Sequence, residues 1–196
     1  MSQLLIAMLV QRTATTHSRL LQGTDDLTEE QCTRWPAPTA PSMAWHLWHM
    51  ARWADRYQAL LPVLAAGSDS PPAPGRELWD VDALASRWGF DVASTGYGQT
   101  GMGMGHTAAA NLPLPGNDRL RDCARRAFAA VEAACRAMED RQLPARGLDL
   151  MYVGYQERER SVGDAILAHL THASRHLGMI EALRGSVLQR AGSVTG

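Results

Sequence analysis

Three histidines fall within eight residues late in the chain, His169, His172 and His176, in the stretch Ala-His-Leu-Thr-His-Ala-Ser-Arg-His-Leu-Gly. A residue advances about 100° on an α-helix, so His172 and His176, four apart, stack on one face about a turn from each other. Two imidazoles in that arrangement can hold a divalent ion when a third ligand comes from elsewhere. Buried without partners on an apolar helix they would be costly, whereas a metal satisfies both. A second pair, His46 and His49, occurs in Trp-His-Leu-Trp-His-Met-Ala-Arg-Trp. Five of the seven histidines therefore sit in two short segments. Helix bundles build sites from inward side chains of facing helices, which makes His46 and His49 the donors to consider for the third ligand. Spacing alone leaves open which of them faces an ion. His169, one turn before His172, is a further candidate. His17 and His106 have no such neighbours and read as packing residues. Trp45, Trp48 and Trp53 read as apolar walls, which would strengthen electrostatics at a nearby ion.

The elements that must position these residues are helices. Residues 3–22 carry apolar Leu5, Ile6, Met8, Leu9, Leu20 and Leu21, with Gly23 as a C-cap. Asp25–Glu30 and the Trp35-Pro36-Ala-Pro38 run read as a loop with one helical turn. Thr39 or Ser42 can cap a second helix, which the sequence predicts to stop near Leu61 because Pro62 has no N–H. His46, His49, Trp53, Tyr57 and Leu60 form its inward stripe. A stretch of about fifty residues follows with little regular pattern, including a short helix within Leu78–Trp88 and the glycine-rich Gly96–Gly105. A third helix is predicted over Arg119–Asp140, with Leu120, Ala124, Ala127, Phe128, Val131, Ala134 and Met138 inward. Met151–Glu157 reads as an extended piece or loop. Ser161 caps a fourth helix, with Asp164 in the capping-box position and Gly185 at its end. The expectation is an all-α protein, a four-helix bundle with a long irregular crossover between its second and third helices. A single domain over 1–190 would be followed by a flexible tail, 191–196.

Composition narrows the function. The chain of 196 residues has a net charge of −1, which gives no electrostatic footprint for nucleic acid or an anionic membrane. Lysine is absent and all 19 strong cations are arginine, so neither a Schiff-base lysine nor a P-loop lysine exists. No apolar run is long enough to span a bilayer. The apolar start reads as the first helix rather than a signal peptide, because no basic segment precedes it. Three cysteines, Cys32, Cys123 and Cys135, form no CxxC pair and suggest a reducing, cytoplasmic setting. Arg52, Arg87 and Arg184 could meet a substrate carboxylate, although solvation is the commoner role of an arginine.

Ser42-Met-Ala-Trp-His-Leu-Trp-His49 resembles the second-helix motif of the DinB/YfiT-like superfamily, in which a metal-binding histidine follows a serine by seven residues. His172-Ala-Ser-Arg-His176-Leu-Gly178 is similar to that family's last-helix His-x-x-x-His followed by Arg-Gly-Gln, with Leu177 and Met179 departing from it. The resemblance implies an up-down-down-up bundle and a metal triad of His49, His172 and His176. It leaves His46, His169 and Trp53 as residues behind the ligands or along the pocket. It also implies one divalent ion, zinc or nickel before iron or manganese, and a homodimer. Relatives use such an ion to activate a small thiol, bacillithiol or mycothiol, in transfer or isomerisation. The expected function is a metal-dependent transferase or hydrolase that activates a low-molecular-weight thiol or water on a small-molecule substrate. The alternatives are a non-catalytic metal-binding or stress-related structural protein, and a bundle whose histidines merely pack.

Overall fold

The computed structural model describes residues 3–66, 72–156 and 158–189. The tail 191–196 and Glu157 of the Met151–Glu157 stretch named above lie outside these, as do residues 67–71 of the crossover. Four long helices dominate: α1 (Leu4–Gln22), α3 (Met43–Ala66), α7 (Asn117–Arg136) and α8 (Val162–Leu188). Between them come the short α2 (Glu29–Thr33), α4 (Leu78–Val81), α5 (Leu84–Arg87) and α6 (His106–Ala110). A two-stranded antiparallel ribbon, β1 (Arg146–Leu148) and β2 (Glu159–Ser161), precedes α8. The ribbon is an addition to the all-α expectation. No described helix is long and apolar enough to cross a membrane.

Each long helix touches two of the others, α1 and α3 lying diagonally opposite one another, as do α7 and α8. Side-chain pairings fix the directions. Asn117, at the start of α7, donates to the carbonyl of Thr24 just past α1 (2.9 Å), and Asp140, beyond the end of α7, accepts from Ile6 N–H at the start of α1 (2.9 Å). These two helices are antiparallel. His17 meets His169, and Arg184 reaches the Gly23 carbonyl, so α1 and α8 run the same way. His46 meets His176 while Tyr57 packs on His169, so α3 opposes α8. The chain therefore runs up, down, down, up. Consecutive α3 and α7 are parallel, and the chain must travel back along the bundle between them, which accounts for the long crossover.

Local chemistry sets the ends. Ser42 Oγ accepts from Trp45 N–H at the head of α3 (3.2 Å), and Ser161 Oγ accepts from Asp164 N–H at the head of α8 (3.0 Å). Asp140 caps α1 from outside it, taking the orphan N–H groups of Leu5 and Ile6. Three boundaries differ from the sequence reading, while Gly23 is the C-cap of α1 as expected. Pro62 lies inside α3, because burial of Leu61, Val63 and Leu64 holds the last turn despite the missing N–H. Gly185 lies inside α8, which runs on until Gln189 takes a left-handed conformation (φ 56°). Arg184, the residue before that glycine, is held by Asp26 and Gly23. The third helix stops at Arg136, four residues early, and Asp140 instead serves α1. Gly23 caps α1 in a right-handed conformation; its role is close packing, since a Cβ there would sit 2.6 Å from Ile180 Cγ2. On α1 itself the buried residues are Ile6, Val10, Thr13, His17 and Leu20, whereas Leu5 and Met8 are 54% and 55% exposed.

The crossover is anchored by a buried ion-pair network. Asp55 on α3 accepts from Leu78 N–H (2.8 Å) and Trp79 N–H (2.9 Å), satisfying the start of α4. It also pairs with Arg52 Nη1 (2.8 Å). Arg52 further binds Glu77 (2.6 Å) and donates through Nε to the Gln99 carbonyl (3.0 Å). Both Arg52 and Asp55 are only 3% exposed. Removing Asp55 strands the Leu78 and Trp79 N–H groups and leaves the buried Arg52 with Glu77 as its remaining carboxylate. Asp55→Ala is expected to cost about 3–5 kcal/mol of stability, measured by urea denaturation; a loss under about 1 kcal/mol would show that the network is not needed to dock the crossover.

Candidate metal centre

Helix α3 is apolar on nearly every face, and both of its histidines are buried. His49 Nε2 lies 3.2 Å from His172 Nε2, and His176 Nε2 lies 3.0 Å from the same atom. One ring nitrogen from each of the three comes within 4.8 Å of the others. Two imidazole nitrogens bound to one ion at about 2.1 Å, at octahedral to tetrahedral angles, stand roughly 3.0–3.4 Å apart. The two separations to His172 fit that requirement and the third lies within 4.8 Å, so this three-histidine group can hold a metal ion.

The outer nitrogens orient the rings. His49 Nδ1 donates to the Thr100 carbonyl (2.5 Å), which leaves the Nε2 lone pair facing the other two histidines. His176 Nδ1 lies 2.8 Å from His46 Nδ1. For His176 Nε2 to present a lone pair, its Nδ1 carries the proton and donates it to His46. Trp45 stacks on the His49 ring with centroids 4.8 Å apart. The glycine-rich segment supplies the Thr100 carbonyl through a turn closed by Tyr97 and Met102. Gly101 (φ 88°) permits the close approach, since a Cβ would come within 2.8 Å of both Trp45 and Trp48. Trp45, Trp48 and Trp53 all bury an indole N–H that has no partner among the described residues, which marks a dry wall.

Burial pushes the histidines toward their neutral form. His46 and His172 are held down at about 4 and His49 at about 3, in each case chiefly by loss of hydration. The same cause, followed by the neighbouring His49, lowers His176. Neutral imidazole is the form that binds a metal. By contrast, burial pushes the Cys32 thiol up to about 11 and those of Cys123 and Cys135 up to about 12, so none supplies a thiolate near neutral pH.

His49 and His172 border a cleft of about 470 Å³ that is also lined by Trp53, Met102, Tyr152, Ala168, Thr171 and Arg175. His49, His172 and His176 are thus brought together, with His46 directly behind His176 and Trp53 in the cleft wall. His169 is elsewhere. Its Nε2 meets His17 Nε2 (3.1 Å), whose Nδ1 bonds Glu132 (2.9 Å), and its ring packs on Tyr57. His17, read from the sequence as lacking a partner, is therefore paired on two sides, and it stacks on Phe128 as well. His106 is exposed at the head of α6. Arg52 and Arg184 are committed to carboxylates, and among the described residues Arg87 reaches only the Asp82 carbonyl. Sequence reasoning did not find Thr100, Tyr152 or Arg175. Only Arg175 carried a local signal, lying seven residues after Ala168 on the same helical stripe as Thr171 and His172.

A bundle of this topology with three convergent histidines defines a class of metal-binding four-helix proteins. The chain belongs to the DinB superfamily, whose family model matches residues 12–180. Proteins of this kind bind divalent metals. A crystal structure described as that of the conserved protein of locus from Enterococcus faecalis is similar, with a TM-score of 0.73 at 17% identity, covering 94% of this chain and 97% of that one. At that identity the likeness concerns the fold. No curated protein matches the sequence.

The buried histidines make stability pH-dependent. An unfolded histidine titrates near 6.5, whereas His46, His49 and His172 titrate at about 3 to 4 in the fold. Between these values the unfolded chain binds more protons, so stability is full above about 6.5 and is lost as pH falls toward 4. Each such histidine contributes about 1.4 kcal/mol per pH unit in that window. Urea midpoints of metal-free protein should drop steeply between pH 7 and 5. A flat profile would contradict the burial of these rings.

Proposed function

We propose that the protein is a metal-dependent transferase or hydrolase acting on a small molecule, with one divalent ion held by His49, His172 and His176. The observation that carries this reading is the convergence of three imidazole nitrogens, 3.0 and 3.2 Å apart, at the edge of a cleft of about 470 Å³. Among the described residues no fourth histidine, cysteine or carboxylate joins the group. Structural ions close their shell with protein ligands, while catalytic ones keep a position open. An all-nitrogen donor set suits zinc or nickel. A divalent ion there supplies Lewis acidity, lowering the pKa of a thiol or water in an open position toward neutrality.

The chain's own residues do the rest. Thr100 and His46 fix the ring orientations of His49 and His176. Trp53 and Met102 give the cleft an apolar side, and the hydroxyls of Thr171 and Tyr152 border it. From the glycine-rich segment Met102 borders the cleft, so the segment seats His49 without filling the cleft, which favours turnover over a plugged, purely structural site. Exposed Leu4, Leu5 and Met8 on α1 support the homodimer, and three free cysteines support a reducing, cytoplasmic setting.

Elemental analysis of untagged protein should give about one zinc or nickel per chain. His172→Ala should lose the metal and keep the helical circular-dichroism spectrum. Full occupancy in that variant would remove His172 from the ligand set. For the reaction, incubation with a low-molecular-weight thiol and an electrophile should give conjugation that stops on chelation. A rate that survives chelation would rule out metal activation of the thiol.

A further inference from the structure

The face of α8 that borders the cleft carries Ala168, Thr171, His172 and Arg175, at steps of three and four residues. Ala168 is small and leaves room; Thr171 and Arg175 lie one turn apart on the same stripe. Among the described residues Arg175 makes no hydrogen bond or ion pair, and its charge reaches both His172 and His176. This sets it apart from the buried arginines: Arg52 is held by Asp55 and Glu77, and Arg184 by Asp26. Among the described residues no side chain lining the cleft is acidic.

Two further guanidinium groups lie against Tyr152, which lines the cleft, without lining it themselves. Arg158 and Arg160 both lie 3.0 Å from the same oxygen of Asp149, so two guanidinium groups share one buried carboxylate. Their charges sit 4.7 and 5.6 Å from the ring of Tyr152, which lines the cleft. Three neutral imidazoles leave the charge of a divalent ion uncompensated. The cleft's size suits a small molecule rather than a polymer.

We propose that the cleft selects a small ligand with two functions, a donor atom for the ion and a carboxylate for Arg175. This rests on the metal reading above. A guanidinium presents paired N–H groups that match a carboxylate, and Thr171 and Tyr152, which line the same cleft, each carry a hydroxyl able to add a hydrogen bond. Trp53 and Met102 cover the intervening carbon chain. Selection comes from the charge balance: a neutral ligand of the same length leaves Arg175 and the excess positive charge unanswered.

The test uses the full chain loaded with cobalt(II), whose absorption reports thiolate binding independently of any activity. Titration with 3-mercaptopropionate and with the neutral 3-mercapto-1-propanol is expected to show about tenfold tighter binding of the acid at low ionic strength. In Arg175→Gln that preference should fall to roughly twofold or less, with affinity for the neutral thiol unchanged. Equal affinities in the wild-type protein, or a preference that survives Arg175→Gln, would overturn the proposal while leaving the metal reading intact. Failure of the wild-type chain to take up cobalt would overturn both.

Discussion

Helix α3 is buried along most of its length, and on that buried surface it carries two histidines, an arginine and an aspartate. Polar groups withdrawn from water must find partners inside the protein, and a buried charge must be neutralised there. Much of the architecture around α3 answers that demand. His46 and His49 are met by His176 and His172 from α8, and the outer nitrogen of His49 by the Thr100 carbonyl. Arg52 and Asp55 are met by Glu77, the Gln99 carbonyl and the first N–H groups of α4. All of these partners except the two α8 histidines, namely Glu77, Leu78, Trp79, Gln99 and Thr100, come from the crossover.

The parallel placement of α3 and α7 is what makes the crossover available. A short turn would have joined antiparallel neighbours and left α3 open on that side. A connection that returns along the bundle can lay itself over α3 and contribute backbone carbonyls where side chains would not fit. Glycine at position 101 allows that approach, since any Cβ would collide with the two tryptophans beneath it. The segment that orients a candidate ligand is therefore the one that closes the core.

The bundle holds two histidine clusters with different surroundings. His17 and His169 face each other between α1 and α8, tied to Glu132, and neither lines the cleft. His49, His172 and His176 converge beside open volume, and His46 backs them. Both clusters use neutral rings, because burial disfavours the imidazolium. What separates them is access, which belongs to the triad alone.

The sequence by itself determined the helices and the candidate ligands. Periodic apolar residues mark α1, α3, α7 and α8, and the four-residue step between His172 and His176 is a property of any helix. Helix ends were less legible: Pro62 and Gly185 are local stop signals that packing of neighbouring side chains overrides. Choosing His49 over His46 needed the family resemblance, because two positions three apart share a face. Thr100, Glu132 and Arg175 acquire their roles only once the chain is folded. Thr100 lies 51 residues from His49 and Glu132 lies 115 from His17, separations that carry no periodic signal. Local spacing fixes which side chains share a helix face. Which faces meet, and which side chain borders open space, is decided by long-range packing, and only the tertiary structure records it.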